Sequence, residues 1–524
     1  MQRVYDAVVV GSGFGGGITA CRLAEHDWSV CVLERGRRFG PDDFIDSPED
    51  APRLFWHPSL NPDGIYELSL MSDVAVLSAA AVGGGSLIYA NVQLRTPADV
   101  FDKGWPAGLS RQVLDPFYDM AEQVLEANTT PPAPPLPKVA SFGAAGAHAG
   151  RQAELLPLAV HFGDERKHPF SGAVQQGCDN LGRCNIGCPR NAMNTVALTY
   201  IARAEARAAE IRPLHEVQRL DPPETRGGRW TVGFRRLDGG GKDSVQARVV
   251  ILAAGCLGSS RILLKNKRRL PALSPAVGTR FSGNGDALGA AFDPTKDDVR
   301  GARTDHGPVM TSRLDYTADG RFMLADGGLP PRFTGLLKVA RGLSVLSGPR
   351  RWLLRLKAGA ALLWLTDRRV SPRDVRLDLR GAPPITDSLV FLMIGRDEAQ
   401  GKMRLTPLLR RFDIQWSKSA NKDLIDGMRE ATREVAEHSG AEPWFEPDGG
   451  PLGKYMTVHP LGGLPMADDP AEGAVDGLGK VHGYEGLYVS DGSIVPTALG
   501  VNPSKTIAAL AERNVQALLH DWAP

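Results

Sequence analysis

The chain has 524 residues, with Lys+Arg 61 against Asp+Glu 60 and a formal net charge of +1. At ~100–200 residues per domain that length implies two or three structural units, and 42% hydrophobic with 23% charged residues excludes wholesale disorder. The balanced charge argues against a dedicated nucleic-acid binder. No run approaches the ~18 consecutive apolar residues of a membrane span, and Val4 to Val10 lacks the cleavage site of a signal peptide, so a cytoplasmic location is expected.

Val4 to Val10 reads as a short buried strand rich in Val. Gly11-Ser12-Gly13-Phe14-Gly15-Gly16-Gly17 follows at once, with Gly11, Gly13 and Gly16 in the three glycine places of GxGxxG. Ile18 to His26 has helical spacing, and Ser29 to Leu33 is a second strand that ends in Glu34. The first Gly makes the tight turn, the second lets backbone approach a pyrophosphate, and the third lets helix and strand pack closely. The helix N-terminus receives the negative charge. Glu34 is placed to accept from a ribose hydroxyl, which disfavours NADP and leaves NAD and FAD open.

Ala81 to Asn91 holds a second glycine loop, Gly83-Gly84-Gly85-Ser86, which suits a flat ring lying against backbone or a plain loop. Thr130 to Pro137 is Pro-rich and reads as an extended surface connector. Cys178, Cys184 and Cys188 cluster within eleven positions, but neither CxxC nor CxxCxxC is present. They read as structural thiols, with a metal or iron–sulfur site as the competing reading. Trp230 to Phe234 and Val245 to Leu252 read as strand, turn, strand. The second strand ends at Ala253-Ala254-Gly255, before a helix from Leu257 to Asn266. Pro349 to Val370 mixes Arg and Lys with Trp and Leu, as in a helix that covers a core or touches a membrane surface.

The C-terminal region is expected to carry the chemistry. His459-Pro460-Leu461-Gly462-Gly463 fixes a histidine in a constrained loop. Leu487 to Val489 is a strand, with Asp491-Gly492 at its turn. Asn502-Pro503-Ser504-Lys505-Thr506 opens a helix over Ile507 to Leu519, with Pro503 in its first turn and Asn502 at or beside the cap.

Taken together, these motifs resemble the glucose–methanol–choline flavoprotein oxidoreductases, in particular the bacterial cholesterol oxidase branch. The resemblance also draws on Val277-Gly278 and on Phe281 to Asp286; residues 290 to 445 carry little of it. It implies an α/β chain with a Rossmann-type FAD-binding domain over 1–100, 170–290 and 446–524. Connector and cap elements over 101–169 and a discontinuous α+β substrate-binding domain over 291–445 complete the expected layout. The implied cofactor is FAD, held by Gly11, Gly13, Phe14, Gly15, Gly16, Glu34, Gly83, Gly84, Ser86, Asn91, Val217, Ala253, Gly255, Asp491, Gly492, Asn502, Pro503 and Thr506. No metal is implied.

The implied reaction oxidises an apolar, sterol-like secondary alcohol to a ketone, with hydride to flavin N5 and His459 and Asn502 at the alcohol. The electron acceptor is O2 or another oxidant. A peripheral membrane contact is left open, as is the oligomeric state. Cholesterol oxidases also use a glutamate; here Ala325 stands in its place and Asp326 is the neighbouring acid, a third catalytic candidate. Light-driven fatty-acid decarboxylation on the same fold, and a non-catalytic redox sensor, are the competing functions.

Overall fold

The computed structural model describes residues 3–45, 50–225, 227–330, 387–449 and 454–522. Pro349 to Val370, read as a basic amphipathic segment, lies outside them.

Strand β1 (Val4–Val10) and β2 (Val30–Leu33) pair in parallel across helix α1 (Phe14–Glu25). Both strands are almost wholly buried, which is why they read as unbroken apolar runs rather than alternating ones. An antiparallel pair follows, β3 (Tyr66–Leu70) and β4 (Val74–Ala79). Helix α2 (Arg111–Leu125) leads to the Pro-rich connector. Residues 131–135 of that connector are exposed, and Pro137 opens α3 (Pro137–His148), a position whose missing N–H costs the helix nothing. Strand β5 (Ala153–Leu155) is followed by a two-stranded ribbon, β6 (Arg166–Lys167) with β7 (Val174–Gln175).

The first sheet is extended by β8 (Glu210–Arg212), β9 (His215–Asp221), β10 (Trp230–Arg236) and β11 (Gly241–Leu252). Helix α4 (Gly255–Asn266) then leaves the sheet. The strand order is β8-β2-β1-β11-β10-β9. β1 and β11 run parallel, Val10 opposite Leu252, and their carboxyl ends lie side by side.

A second, antiparallel sheet uses β12 (Ala287–Phe292), β13 (Ser312–Tyr316), β14 (Phe322–Gly327), β15 (Leu389–Gly395) and later β18 (Glu442–Phe445). Its order is β18-β12-β15-β14-β13-β5. A hairpin of β16 (Lys402–Leu405) and β17 (Phe412–Gln415) stands apart from it. Helix α5 (Lys422–His438) follows and contributes Leu424, Met428 and Val435 to the core around this sheet.

Strand β19 (Tyr455–Thr457) runs parallel to β4. Strand β20 (Leu487–Val489) joins the first sheet beside β11, and α6 (Ser504–Asp521) closes the chain. Pro503 occupies the cap of α6 rather than its first turn, and the helix starts three residues before Ile507 because Ser504 to Thr506 already have helical geometry. Among the described residues no helix is long and apolar enough to cross a membrane.

Candidate active site

Two glycine loops meet at the carboxyl end of β1. A Cβ on Gly84 would lie 2.7 Å from Gly13 Cα. Gly11, Gly15 and Gly16 are pressed against backbone: an added Cβ would lie 2.3 Å from Ala253 O, 1.5 Å from Ser490 O and 2.1 Å from Gly11 O. Gly13 differs, because its Cβ would meet nothing nearer than Gly84 Cα at 3.9 Å. No side chain caps α1 at Gly13, so the first-turn N–H groups lack a capping acceptor and suit an anion. Gly15→Val is expected to abolish folding, since α1 must shift off the segment after β20 to admit any side chain. Soluble yield and the unfolding midpoint check this.

Glu34 is buried at the end of β2. Its Oε2 accepts from Ser12 N at 3.0 Å and Ser12 Oγ at 2.7 Å, and its Oε1 from Gly36 N at 2.8 Å. Burial pushes the carboxyl up, and these hydrogen bonds oppose the shift. A carboxylate has about four acceptor sites, so one stays open for a ribose hydroxyl.

The other expected cofactor residues divide into two kinds. Some are structural ties. Ser86 Oγ donates to Gly83 O at 2.6 Å and accepts from Val196 N at 2.9 Å. Asp491 accepts from Ser493 N at 2.9 Å and from Ser259 Oγ at 2.5 Å, joining β20 to α4. Thr506 Oγ1 lies 2.7 Å from Thr96 Oγ1 and 2.8 Å from Tyr118 Oη. Val217 belongs to the buried core that includes Val10 and Leu33. Gly492 O accepts from Gly462 N at 3.0 Å. The others border the glycine loops. Phe14 meets Tyr89 edge-on, centroids 5.5 Å apart, Ala253 backs Gly11, and Gly255 starts α4. Asn91 is the informative one: its amide is buried, and neither Oδ1 nor Nδ2 has a hydrogen-bond partner. Gln93 has the same orphaned amide, and so does Asn502 Oδ1. Buried polar atoms in a folded protein are normally paired, so this cluster fits a polar ligand laid against it.

The structure brings His459 and Asn502 together, with Asn502 Nδ2 3.4 Å from His459 Nε2. A third residue completes the arrangement. Asp286 Oδ1 lies 2.8 Å from His459 Nδ1, while Oδ2 accepts from Val458 N at 2.8 Å and from His459 N at 3.0 Å. Asp286 is buried, and the His459 side chain is 15% exposed. Two residues earlier, Asn284 anchors the loop before Asn502. Its Nδ2 donates to Val501 O at 2.8 Å, and its Oδ1 accepts from Leu499 N at 2.8 Å. Asn284 and Gly285 both have positive φ, 54° and 58°, as an Asn-Gly turn permits. One short turn therefore positions both partners. The Asn-Gly pair was the available sequence signal; the pairing of Asp286 with a residue 173 positions away was not readable from it.

Asp326 is bound elsewhere. Oδ1 accepts from Thr311 N at 2.6 Å and Ser312 N at 2.7 Å, Oδ2 pairs with Thr311 Oγ1, and Lys138 Nζ lies 3.3 Å away. Neighbouring Ala325 points to the other face of β14, into a cluster with Val92, Met323 and Ile394. The carboxylate is thus spent on a buried ion pair and is not brought to His459 and Asn502. Cys184 is also buried, and Cys178 and Cys188 are half-buried beside it; burial pushes Cys178 up to about 12 and Cys184 up to about 11, and raises Cys188. Among the described residues, no group of three or more His, Cys, Asp or Glu is arranged to hold a metal ion.

The N-terminal GMC oxidoreductase family model matches residues 5–281, and the C-terminal one matches residues 397–511. The chain belongs to the GMC oxidoreductase family. A cholesterol oxidase of Mycobacterium tuberculosis is 31% identical over 553 aligned positions, covering 98% of this chain and 91% of that protein. A long-chain-alcohol oxidase of Arabidopsis thaliana is 25% identical, covering 97% of this chain and 66% of that protein. In structure, a formate oxidase of Aspergillus oryzae superposes with a TM-score of 0.63 at 14% identity, covering 99% of each chain. The GMC fold accounts for the mixed sheets described above, a Rossmann-type unit with a second sheet beside it.

Proposed function

We propose that the chain is an FAD-dependent oxidoreductase that converts an apolar, sterol-like secondary alcohol to a ketone. The observation that carries this reading is the Asp286–His459–Asn502 arrangement. Asp286 already accepts from two backbone N–H groups, so it meets Nδ1 as an acceptor and the imidazole proton sits on Nδ1. Nε2 then carries a lone pair, and the Asn502 Nδ2 beside it is a donor, consistent with that tautomer. A bound hydroxyl donates to Nε2 and accepts from Asn502 Nδ2. His459 takes the hydroxyl proton, and Asn502 holds the oxygen.

The residues present fit FAD. The open backbone at Gly13 suits the pyrophosphate, Glu34 the ribose, and the unpaired amides of Asn91 and Gln93 a polar ring edge. When bound, FAD would supply the two-electron acceptor for the carbon-bound hydride. The family is FAD-binding in general, and the cholesterol oxidase and the long-chain-alcohol oxidase both take apolar alcohols. Met323, Ala325 and Ile394 pack with Val92, the residue next to Asn91, an apolar neighbourhood in keeping with such a substrate. Anaerobic bleaching of the yellow protein by a panel of sterols and long-chain alcohols tests the reading. Sterol bleaching in the dark supports it, and bleaching by none of the panel overturns it. The speed of recolouring in air then separates an oxidase from a dehydrogenase.

With Asp326 held by Lys138, a 3-hydroxy-5-ene sterol is expected to yield the unconjugated ketone first, with ultraviolet enone absorbance lagging oxidation. Asp326→Asn is expected to leave that lag unchanged. It should destabilise the fold by about 3–5 kcal/mol, because Lys138 loses its carboxylate partner in the interior and keeps only the carbonyls of Pro308 and Val309. A fall in the denaturant midpoint without a change in product order is the outcome to look for.

A further inference from the structure

The β16–β17 hairpin ends in Thr406-Pro407-Leu408-Leu409-Arg410-Arg411. Leu408 is 95% exposed and Leu409 70%, the two highest values for large apolar side chains among the described residues. The tip is closed by its own backbone. Thr406 N donates to Arg411 O at 2.8 Å, Arg410 N to Thr406 O at 3.0 Å, and Arg411 N to Thr406 Oγ1 at 3.0 Å. Two pairs below Leu405 and Phe412 on the ribbon, Met403 faces Ile414, and both are buried. The leucines are thus held outward on an anchored ribbon, and neither belongs to an apolar cluster among the described residues.

The charges around them have one sign. Arg410 and Arg411 are exposed, and neither has an ion-pair partner among the described residues. The acids that could answer them are engaged. Asp413 accepts from Ser72 N at 2.8 Å and Ser72 Oγ at 2.9 Å, and Asp73 accepts from Trp416 N at 3.0 Å. Those contacts bring the β3–β4 turn alongside, with Leu70 49% exposed at its edge and Lys454 Nζ 2.5 Å from Ser72 O.

We propose that this hairpin tip docks on the surface of an anionic phospholipid bilayer. Leu408 and Leu409 enter the boundary between headgroups and acyl chains, and Arg410 and Arg411 meet lipid phosphates. A bilayer is apolar below and anionic above, in the same order as this tip. A stable protein partner would need about 800 Å² from each side, far more than two leucines at the end of a narrow ribbon offer. The proposal is independent of the proposed reaction, since docking is measured without substrate.

The test is sedimentation of the full chain with vesicles of phosphatidylcholine alone or mixed with phosphatidylserine. The wild type is expected to pellet with the mixed vesicles and to be released by salt. Leu408→Ser with Leu409→Ser should weaken pelleting at least about tenfold. Arg410→Gln with Arg411→Gln should remove the preference for the anionic vesicles. Both variants should keep the wild-type unfolding midpoint and its turnover of a water-soluble alcohol. A wild type that stays in the supernatant, or leucine variants that pellet as well as it does, would overturn the proposal. So would a leucine variant whose main change is a smaller mass in solution, because the occupant would then be a second copy of this chain.

Discussion

His459→Ala is expected to lower turnover of the alcohol by about 10²–10⁴-fold, the usual worth of a positioned general base, and to leave the fold and the yellow cofactor in place. The loop should survive because most of its anchoring is not through the imidazole. Asp286 Oδ2 keeps the backbone donors Val458 N and His459 N. Leu461 keeps its reciprocal backbone bonds with Ser282, at 2.9 and 3.0 Å, and Gly462 its bond to Gly492 O. What disappears is the lone pair at Nε2, next to Asn502 Nδ2. Steady-state turnover with a visible spectrum of the purified variant checks both halves. Near-wild-type turnover on every alcohol would remove His459 from the reaction.

The parts legible in the sequence were those whose physics is local. β1, the glycine turn, α1, β2 and Glu34 occupy one continuous stretch, and each element has a propensity or a steric reason that does not depend on distant residues. The strand pair read at Trp230 to Phe234 and Val245 to Leu252 was equally readable, because a glycine turn separates two β-rich runs; in the structure the first strand runs on to Arg236 and the second begins at Gly241. The role of Asp286 was not readable, because an acid's role here is set by which loop folds over it. The same limit applies to Asp326. On a strand, a shift of one residue changes the face. Sequence placed Ala325 and Asp326 next to each other but could not say which side of β14 faces Val92 and which faces Lys138. Gln93 was missed for a related reason: its orphaned amide becomes conspicuous only once burial leaves it without a partner. The three loop cysteines were read as structural thiols because their spacing fits no common metal site, and packing against an apolar cluster raises their pKa and leaves them poor nucleophiles.

Asp286→Asn is expected to lower turnover by about 10²-fold or more, close to the loss in His459→Ala, although Asp286 itself touches no substrate. The reason is the count of acceptors. The carboxylate offers one oxygen to Val458 N, His459 N and Thr457 Oγ1 and the other to His459 Nδ1. An amide has a single acceptor oxygen. With two backbone donors fixed on one side, that oxygen must face them, and the amide NH2 then faces Nδ1. Nδ1 has to accept, the ring proton moves to Nε2, and the base beside Asn502 becomes a donor. A merely structural role for Asp286 would show as a lower unfolding midpoint with the ring tautomer unchanged. A positioning role predicts a preserved midpoint and a nitrogen NMR signature in which the protonated ring atom switches from Nδ1 to Nε2. Asp286→Glu, which keeps both acceptor oxygens, should recover part of the turnover and the original tautomer. Full turnover in Asp286→Asn would show that His459 needs no carboxylate partner, and that Asn502 alone fixes the state of Nε2.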